Sequence, residues 1–228
     1  MHLIAWFVAS IAVGNAVAAP TKASLQPFVE SRGELRLDPA IYTTENFTAS
    51  DGETYEITFL TGLPDVEGRS AFRKRQQGSD DPKNRWSPNN SHRDSCPFGS
   101  IYGDTGPNAP TTGRCMAIRD WCKNNPGAWS VFPYDSDLPS FYPLVSSGKT
   151  GTTACHFAVV GSGALDTIGT EDVRDWVNES LDRYTQNYDG VYRVRSYGKS
   201  GICTGVRPGN VRWMLDTLQG VQAGRQIS

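Results

Sequence analysis

Histidine is scarce in this sequence, with three residues among 228. His2 lies in the apolar N-terminal stretch, so only His92 and His156 remain as candidates for acid–base chemistry. A Cys–His or Ser–His–Asp site needs a histidine beside a nucleophile and an orienting acid, and no G-x-S-x-G context is present. Metal sites would lack His and Cys ligands once the cysteines pair. We therefore predict no catalytic residue, no metal, and a protein that is not an enzyme.

An excess of positive charge is also lacking, since 22 basic residues face 24 acidic ones. Binding to a phosphate backbone requires a clear basic surplus, so nucleic acid is excluded as a partner, and so is an anionic membrane surface. A nucleotide loop is equally unsupported. Gly161-Ser162-Gly163 precedes a helix, but Asp166 stands where the third glycine of the dinucleotide motif belongs. We interpret this segment as a turn and predict no cofactor.

Pairs of carboxylates also do not predict a catalytic site in this sequence. Asp135 with Asp137 lies in a predicted loop, and Asp172 with Asp175 lies on a predicted helix. Glycosidases use such pairs across the scissile bond. We interpret both pairs as solvated side chains.

Long apolar runs are absent beyond the N-terminus. Residues 3–13 form an apolar run that is too short to span a bilayer, and Ala16-Val17-Ala18 is an A-x-A cleavage signature. We predict a signal peptide over residues 1–18, cut after Ala18, and hence a secreted, extracellular protein. No later segment is long and apolar enough for a membrane span, and the polar residues 222–228 do not resemble a lipid-anchor tail.

Cysteine is missing from residues 19–95, which are rich in polar residues, Gly and Pro. Such a segment buries too little apolar surface to offset the entropy of ordering, although residues 55–60 have strand-like character. Arg73-Lys74-Arg75 suits a furin- or kexin-type protease. We predict a disordered propeptide over residues 19–75, cleavage after the dibasic pair Lys74-Arg75, and a linker over residues 76–95.

Three N-x-S/T sequons mark candidate glycosylation sites at Asn46, Asn89 and Asn178. Asn46 would be lost with the propeptide. Asn178 lies on a predicted helix, on the face opposite the apolar residues. These sites predict a glycoprotein.

Residues 96–220 have the pattern of one compact domain. Helices are expected over 114–123 and 171–184, the second capped by Thr170 and apolar along one face of period 3.6. Strands are expected over 128–132, 141–145, 153–160, 191–194, near 202–203 and over 211–215. The order αβββαβββ predicts an α+β two-layer sandwich, an antiparallel sheet with both helices on one face.

Aromatic residues divide into two groups by context. Those at core-like positions are Trp121, Trp129, Trp176 and Trp213. Those in loop or edge contexts, which could contact a glycan or a protein partner, are Trp86, Phe141 and Tyr142.

The five cysteines of a secreted chain predict a disulfide framework with one thiol left over. Cys115 and Cys122 would lie roughly 10 Å apart along a helix, too far to bridge. Twelve two-bridge schemes remain open. We favour Cys96 with Cys203, which ties the start of the domain to its late strands, and Cys115 with Cys155, which ties helix to sheet. Cys122 is then the free thiol.

From position 96 to 215 the chain resembles the fungal necrosis-inducing factor domain family, the Ecp-type secreted effectors. The elements that carry the resemblance are Cys96, Cys115, Trp129, Cys155-x-Phe157, Gly169-x-x-Asp172-Val173-x-Asp175, Cys203-x-Gly205 and Val211-x-Trp213. The family pattern has four cysteines, so Cys122 is an addition. His156 stands where the family has a small residue.

The resemblance implies a secreted, disulfide-stabilised, non-enzymatic effector or toxin-like protein that causes necrosis or supports virulence. It would act on a host or microbial surface component, protein or glycan, and would be a monomer. The alternative function is an extracellular carbohydrate-binding, chitin-associated module.

Overall fold

The computed structural model describes residues 41–62, 85–89, 91, 93–131, 141–148, 154–160, 166–204 and 209–223. Across these residues, seven strands form one antiparallel sheet in the order β1-β2-β6-β7-β12-β11-β4. The strands of this sheet are β1 (Tyr42–Thr48), β2 (Thr54–Leu60), β4 (Ser100–Gly103), β6 (Tyr142–Ser147), β7 (Cys155–Val160), β11 (Ser196–Cys203) and β12 (Gly209–Asp216).

The other strands of the described residues form two smaller sheets. The first has the order β3-β5-β8, formed by β3 (Trp86–Pro88), β5 (Gly127–Val131) and β8 (Asp166–Gly169). The second is the hairpin of β9 (Gln186–Tyr188) and β10 (Val191–Arg193).

Helices α1 (Thr112–Asn124) and α2 (Thr170–Tyr184) pack against each other and against one face of the large sheet, here called the inner face. Side chains alternate between faces along each strand, so Phe157 and Trp213 point inward from neighbouring strands. The Trp213 ring stacks on Trp176 of α2 with centroids 5.5 Å apart, and all three side chains are buried. This aromatic stack fastens α2 to the centre of the sheet.

The opposite face, here called the outer face, carries a second and smaller apolar cluster. The short helix α3 (Leu218–Gln222) follows β12 and contacts β7 and β12. Val221 packs there with Ala158 and Met214. The inner and outer clusters together bury both sides of the central strands.

Two disulfides join the elements, Cys96 to Cys203 and Cys115 to Cys155. These are the two pairs that the sequence analysis favoured. Cys122 is free and buried, and burial raises the pKa of its thiol well above the ordinary value. The thiol is therefore protonated at neutral pH and packs as a small apolar side chain.

The expected α+β architecture is confirmed, with α1 and α2 on one face of an antiparallel sheet. Helix α2 begins one residue early, and the expected role of Thr170 as its N-cap is wrong. Gly169 is the N-cap residue, while the Thr170 hydroxyl donates to the Gly127 carbonyl at 3.3 Å. The Thr170 side chain thus ties α2 to β5 instead of capping its own helix.

Disorder over the whole of residues 19–75 is a wrong prediction for the part that the structure describes. Residues 41–62 form the hairpin of β1 and β2, and β2 pairs with β6 in the large sheet. Ile57 is fully buried and Leu60 is 3% exposed. The last four residues of β2, Ile57 to Leu60, are all buried, and the three apolar ones among them supply the apolar surface that the segment's overall composition concealed.

The expected linker over residues 76–95 is also wrong for its second half. Residues 86–88 form β3, which pairs with β5. Ser95 and Arg85 are buried. The folded unit therefore includes residues 41–62 and begins well before Cys96.

Candidate functional surface

A Ser–His–Asp row crosses three neighbouring strands on the outer face, and no local sequence pattern predicts it. His156 of β7 lies in register with Ser146 of β6 and with Asp216 of β12. The Ser146 hydroxyl lies 2.7 Å from Nδ1 of His156. Strand pairing brings these residues together, since Ser146 and His156 lie on consecutive strands and Asp216 comes from a strand much later in the chain.

Burial prevents this row from acting as a hydrolase centre. Ser146 is 2% exposed, His156 is 0% and Asp216 is 1%. Nε2 of His156 has no hydrogen-bond partner among the described residues, so no carboxylate orients the ring. Burial lowers the pKa of His156 to about 4, so the ring is neutral at neutral pH. His156 is therefore a buried histidine that shares a hydrogen bond with Ser146 and does not lie at the surface.

Asp172 is a second buried acidic group, and its environment corrects the expectation of a solvated carboxylate. The carboxylate accepts hydrogen bonds from the backbone N–H groups of Gly169 at 2.7 Å, Cys96 at 2.9 Å and Ser95 at 3.0 Å. Burial raises the pKa of Asp172 to about 7, although these three donors oppose the shift. Asp172 therefore anchors the segment around Cys96 to the start of α2. Its neighbour Asp175 is exposed and paired with Arg174.

The aromatic residues expected at loops or edges lie in the interior instead. Phe141 is 7% exposed and Tyr142 is 9% exposed. Trp86 is half-buried between the rings of Phe59, at 5.9 Å, and Trp129, at 4.6 Å. None of these three offers a free ring face to a ligand.

An exposed aromatic pair lies elsewhere, on the outer face at the β4 edge of the large sheet. Tyr102 of the edge strand and Tyr197 of β11 stand opposite each other in register, with stacked rings 5.8 Å apart. Tyr102 is 53% exposed, while Tyr197 packs against the outer cluster. The half-buried ring of Tyr197 thus supports the exposed ring of Tyr102.

Two cations extend this surface along the neighbouring strands. Lys199 and Arg212 are cross-strand partners, and both side chains are exposed. Side-chain alternation places Lys199 on the same face as Tyr197, two residues earlier. The four residues Tyr102, Tyr197, Lys199 and Arg212 are called the outer patch below.

The predicted modification sites divide by location. Asn46 on β1, Asn89 after β3 and Asn178 on α2 are all exposed, so a glycan would meet solvent at each. The residues that lie outside the described part of the chain are Ala18, Lys74, Arg75, His92, Asp135, Asp137 and the 161–163 turn.

Metal and membrane functions gain no support from the residues that are described. Within them, no three His, Cys, Asp or Glu side chains group as metal ligands would. None of the described helices has the length and apolar character needed to span a bilayer.

Comparison with known protein families finds a match for part of the chain. Residues 95–201 match the family model described as "pathogen effector; putative necrosis-inducing factor". This matched range is called the effector domain below, after the family that it resembles. The predicted resemblance is confirmed over that range. No curated protein matches the chain.

The matched range covers part of the outer patch and part of the large sheet. The effector domain includes Tyr102, Tyr197 and Lys199 of the outer patch, whereas Arg212 lies beyond it. The hairpin of β1 and β2 lies wholly outside the matched range, although it is part of the same sheet.

Proposed function

We propose that this protein is a secreted effector that acts without catalysis, by binding a surface component of a host or competitor cell and causing necrosis or supporting virulence. The effector-family match supports the general role. Two disulfides suit a protein that works outside the cell, where thiols oxidise. The buried state of the Ser146–His156 pair supports action by binding instead of hydrolysis.

The observation that carries the proposal is the outer patch. Tyrosine presents a rigid ring with a polar tip and is favoured at interfaces. Tyr102 is held by its stack on Tyr197, so little conformational entropy is lost when a partner covers it. Lys199 and Arg212 add charged hydrogen-bond donors beside the rings. Such a surface suits a protein partner that carries acidic groups.

The test uses purified full-length secreted protein, applied to a panel of plant tissues and rival microbes. Tyr102→Ala and Lys199→Ala should reduce cell death or growth inhibition by tenfold or more in effective dose, on the order expected for loss of a central contact. Tyr192→Ala is the matched aromatic control, since Tyr192 is 58% exposed on the separate β9–β10 hairpin. Lys123→Ala is the matched cationic control, at the exposed end of α1.

Circular dichroism should show that all four variants keep the fold. The proposal fails if the folded wild-type protein gives no response across the panel. The role of the outer patch fails if the patch variants and the control variants have equal potency.

A chitin-associated function is the second candidate, favoured by the exposed face of Tyr102. Aromatic faces stack on sugar rings, and the exposed ring of Tyr102 would present one such face. Sedimentation with insoluble chitin tests this function directly. Loss of sedimentation in Tyr102→Ala but not in Tyr192→Ala would support it, and no sedimentation of the wild-type protein would exclude it.

The processing steps belong to the same proposal. They are removal of the signal peptide 1–18, cleavage after Arg75, and glycosylation at Asn46, Asn89 and Asn178. N-terminal sequencing and intact mass of the secreted protein test them together. A single N-terminus at Ala19, with no second chain, would contradict cleavage after Arg75.

A further inference from the structure

The hairpin of β1 and β2 is bound to the effector domain through three kinds of contact. The first is strand pairing, in which Ile57, Thr58 and Phe59 lie in register with Ser147, Ser146 and Val145 of β6. The Gly148 N–H also donates to the Glu56 carbonyl at 2.9 Å. Without the hairpin, β6 would be a bare sheet edge with unpaired backbone groups.

The second contact is apolar. Phe59 enters the tryptophan cluster of the domain, with its ring centroid 4.7 Å from Trp121 and 5.9 Å from Trp86. Phe59 is 7% exposed and Ile57 is fully buried. Removal of the hairpin would therefore open the tryptophan cluster to water.

The third contact is a set of hydrogen bonds that polar groups of the domain make to the hairpin. The Trp129 indole N–H donates to the Leu60 carbonyl at 3.1 Å. The Trp121 indole N–H donates to the Glu45 carboxylate. The Asp120 carboxylate accepts from Ser50 twice, from the backbone N–H at 2.9 Å and from the hydroxyl at 2.5 Å. The two indole N–H groups would lose these acceptors if the hairpin left, and Asp120 would lose its bonds to Ser50 while keeping its ion pair with Arg119 at 2.8 Å.

No disulfide ties the hairpin to the domain, because all five cysteines lie at or after position 96. The proposed cleavage after Arg75 falls between the hairpin and β3. Water adds across the Arg75–Gln76 peptide bond in this step, which leaves a carboxylate on Arg75 and an amine on Gln76. Only non-covalent contacts then hold the hairpin.

We propose that the hairpin stays bound after this cleavage, so that the mature protein is a two-chain complex in which residues 41–62 remain docked on β6 and the tryptophan cluster. This inference rests on the proposed processing at Arg75 and changes its outcome, since the N-terminal segment becomes a permanent subunit instead of being discarded. Asn46 and its exposed sequon are then part of the mature molecule.

The test is independent of natural processing. A recognition sequence for a site-specific protease replaces residues 73–75 in the full chain, and the purified protein is cut once. Both pieces should co-elute at one to one by native gel filtration, with or without reductant, and should separate in guanidinium chloride. The tryptophan fluorescence of the cut protein should equal that of the uncut protein.

Variants measure the strength of docking in the cut protein. Phe59→Ala should raise the dissociation constant by roughly 100-fold or more, as expected for a buried phenylalanine. Glu45→Ala should raise it roughly threefold to tenfold through loss of the acceptor for Trp121. Glu53→Ala is the matched control, because Glu53 is exposed in the β1–β2 turn, and should change the constant by less than about twofold.

Elution of the N-terminal piece away from a folded 76–228 piece would overturn the proposal. So would equal dissociation constants for Phe59→Ala and the Glu53→Ala control. Natural cleavage is tested separately by sequencing the wild-type protein, so a failure there leaves the docking result interpretable.

Discussion

The Ser146 hydroxyl lies 2.7 Å from Nδ1 of His156, and both side chains are buried on the outer face of the sheet. The histidine is held neutral in a site that cannot solvate an imidazolium. Across the adjoining strand, the buried carboxyl of Asp216 has a pKa raised chiefly by burial. Ser146, His156 and Asp216 are therefore buried polar residues within the sheet, and the free energy that their burial costs depends on pH.

Acid should destabilise the protein through His156. Its folded pKa of about 4 lies below the ordinary value of 6.5, so the unfolded chain takes up the proton first as pH falls. The free energy of unfolding should then decrease between pH 6.5 and pH 4, by about 3 kcal/mol in total from this group. Denaturant unfolding across this range measures the effect.

His156→Gln serves as the comparison for the acid effect, because it keeps a hydrogen-bonding side chain without titrating. The variant should lose about 3 kcal/mol less than the wild-type protein over the same pH range. Titrating groups far from His156 contribute to both curves and cancel in the difference. Parallel curves would rule out the assigned role of His156.

Asp172 should matter for stability and its neighbour Asp175 should not. Asp172→Ala leaves three buried backbone N–H groups without an acceptor, which should cost about 3 kcal/mol or more. Asp175 is 59% exposed, so Asp175→Ala should change stability by no more than about 0.5 kcal/mol. Thermal and denaturant unfolding of the two variants provide the measurement. Equal losses of stability in the two variants would show that the buried hydrogen bonds of Asp172 contribute nothing to the free energy of unfolding.

The two disulfides should stabilise the fold unequally. Cys96–Cys203 spans a sequence separation of 107 and Cys115–Cys155 spans 40. By the loop-entropy relation, paired Cys→Ala changes should cost about 5 kcal/mol for the first and about 4 kcal/mol for the second. Denaturant midpoints of the two double variants test the order. A larger loss from removing the shorter loop would contradict the entropic account.

Cys122 should behave as a core residue without redox chemistry. The native protein should not react with a thiol reagent, whereas the unfolded protein should react at one thiol, since burial keeps Cys122 protonated and out of contact with solvent. Cys122→Ser should destabilise by about 2 kcal/mol through burial of a hydroxyl, and Cys122→Ala by about 1 kcal/mol. Rapid labelling of the folded protein would contradict this assignment.

Much of the central fold could be predicted from local patterns. The apolar stripe of α2 and the short apolar runs of β6 and β7 identified their elements, because burial on one face imposes a period on the sequence. Distance limits excluded only the pairing of Cys115 with Cys122, and the expected placement of helix against sheet favoured the two observed pairs among the twelve schemes left open. Several short strands show no clear hydrophobic period in the sequence. Gly-rich β4 and the three-residue strands β3 and β9 are too brief for a period to show.

The sequence by itself determined the helical stripe of α2 and the resemblance to an effector family, since these depend on residue type and spacing, and it favoured the observed cysteine pairs without excluding the other schemes. Only the tertiary structure decided the position of the N-terminal hairpin, the burial of His156 and the meeting of Tyr102 with Tyr197. Each of these depends on which strands become neighbours, and strand order follows from the packing of the whole chain. Phe59 shows the difference best, because residues 55–60 had strand-like character inside a segment predicted to be disordered, while its partners, Trp86 and Trp121, lie far along the chain.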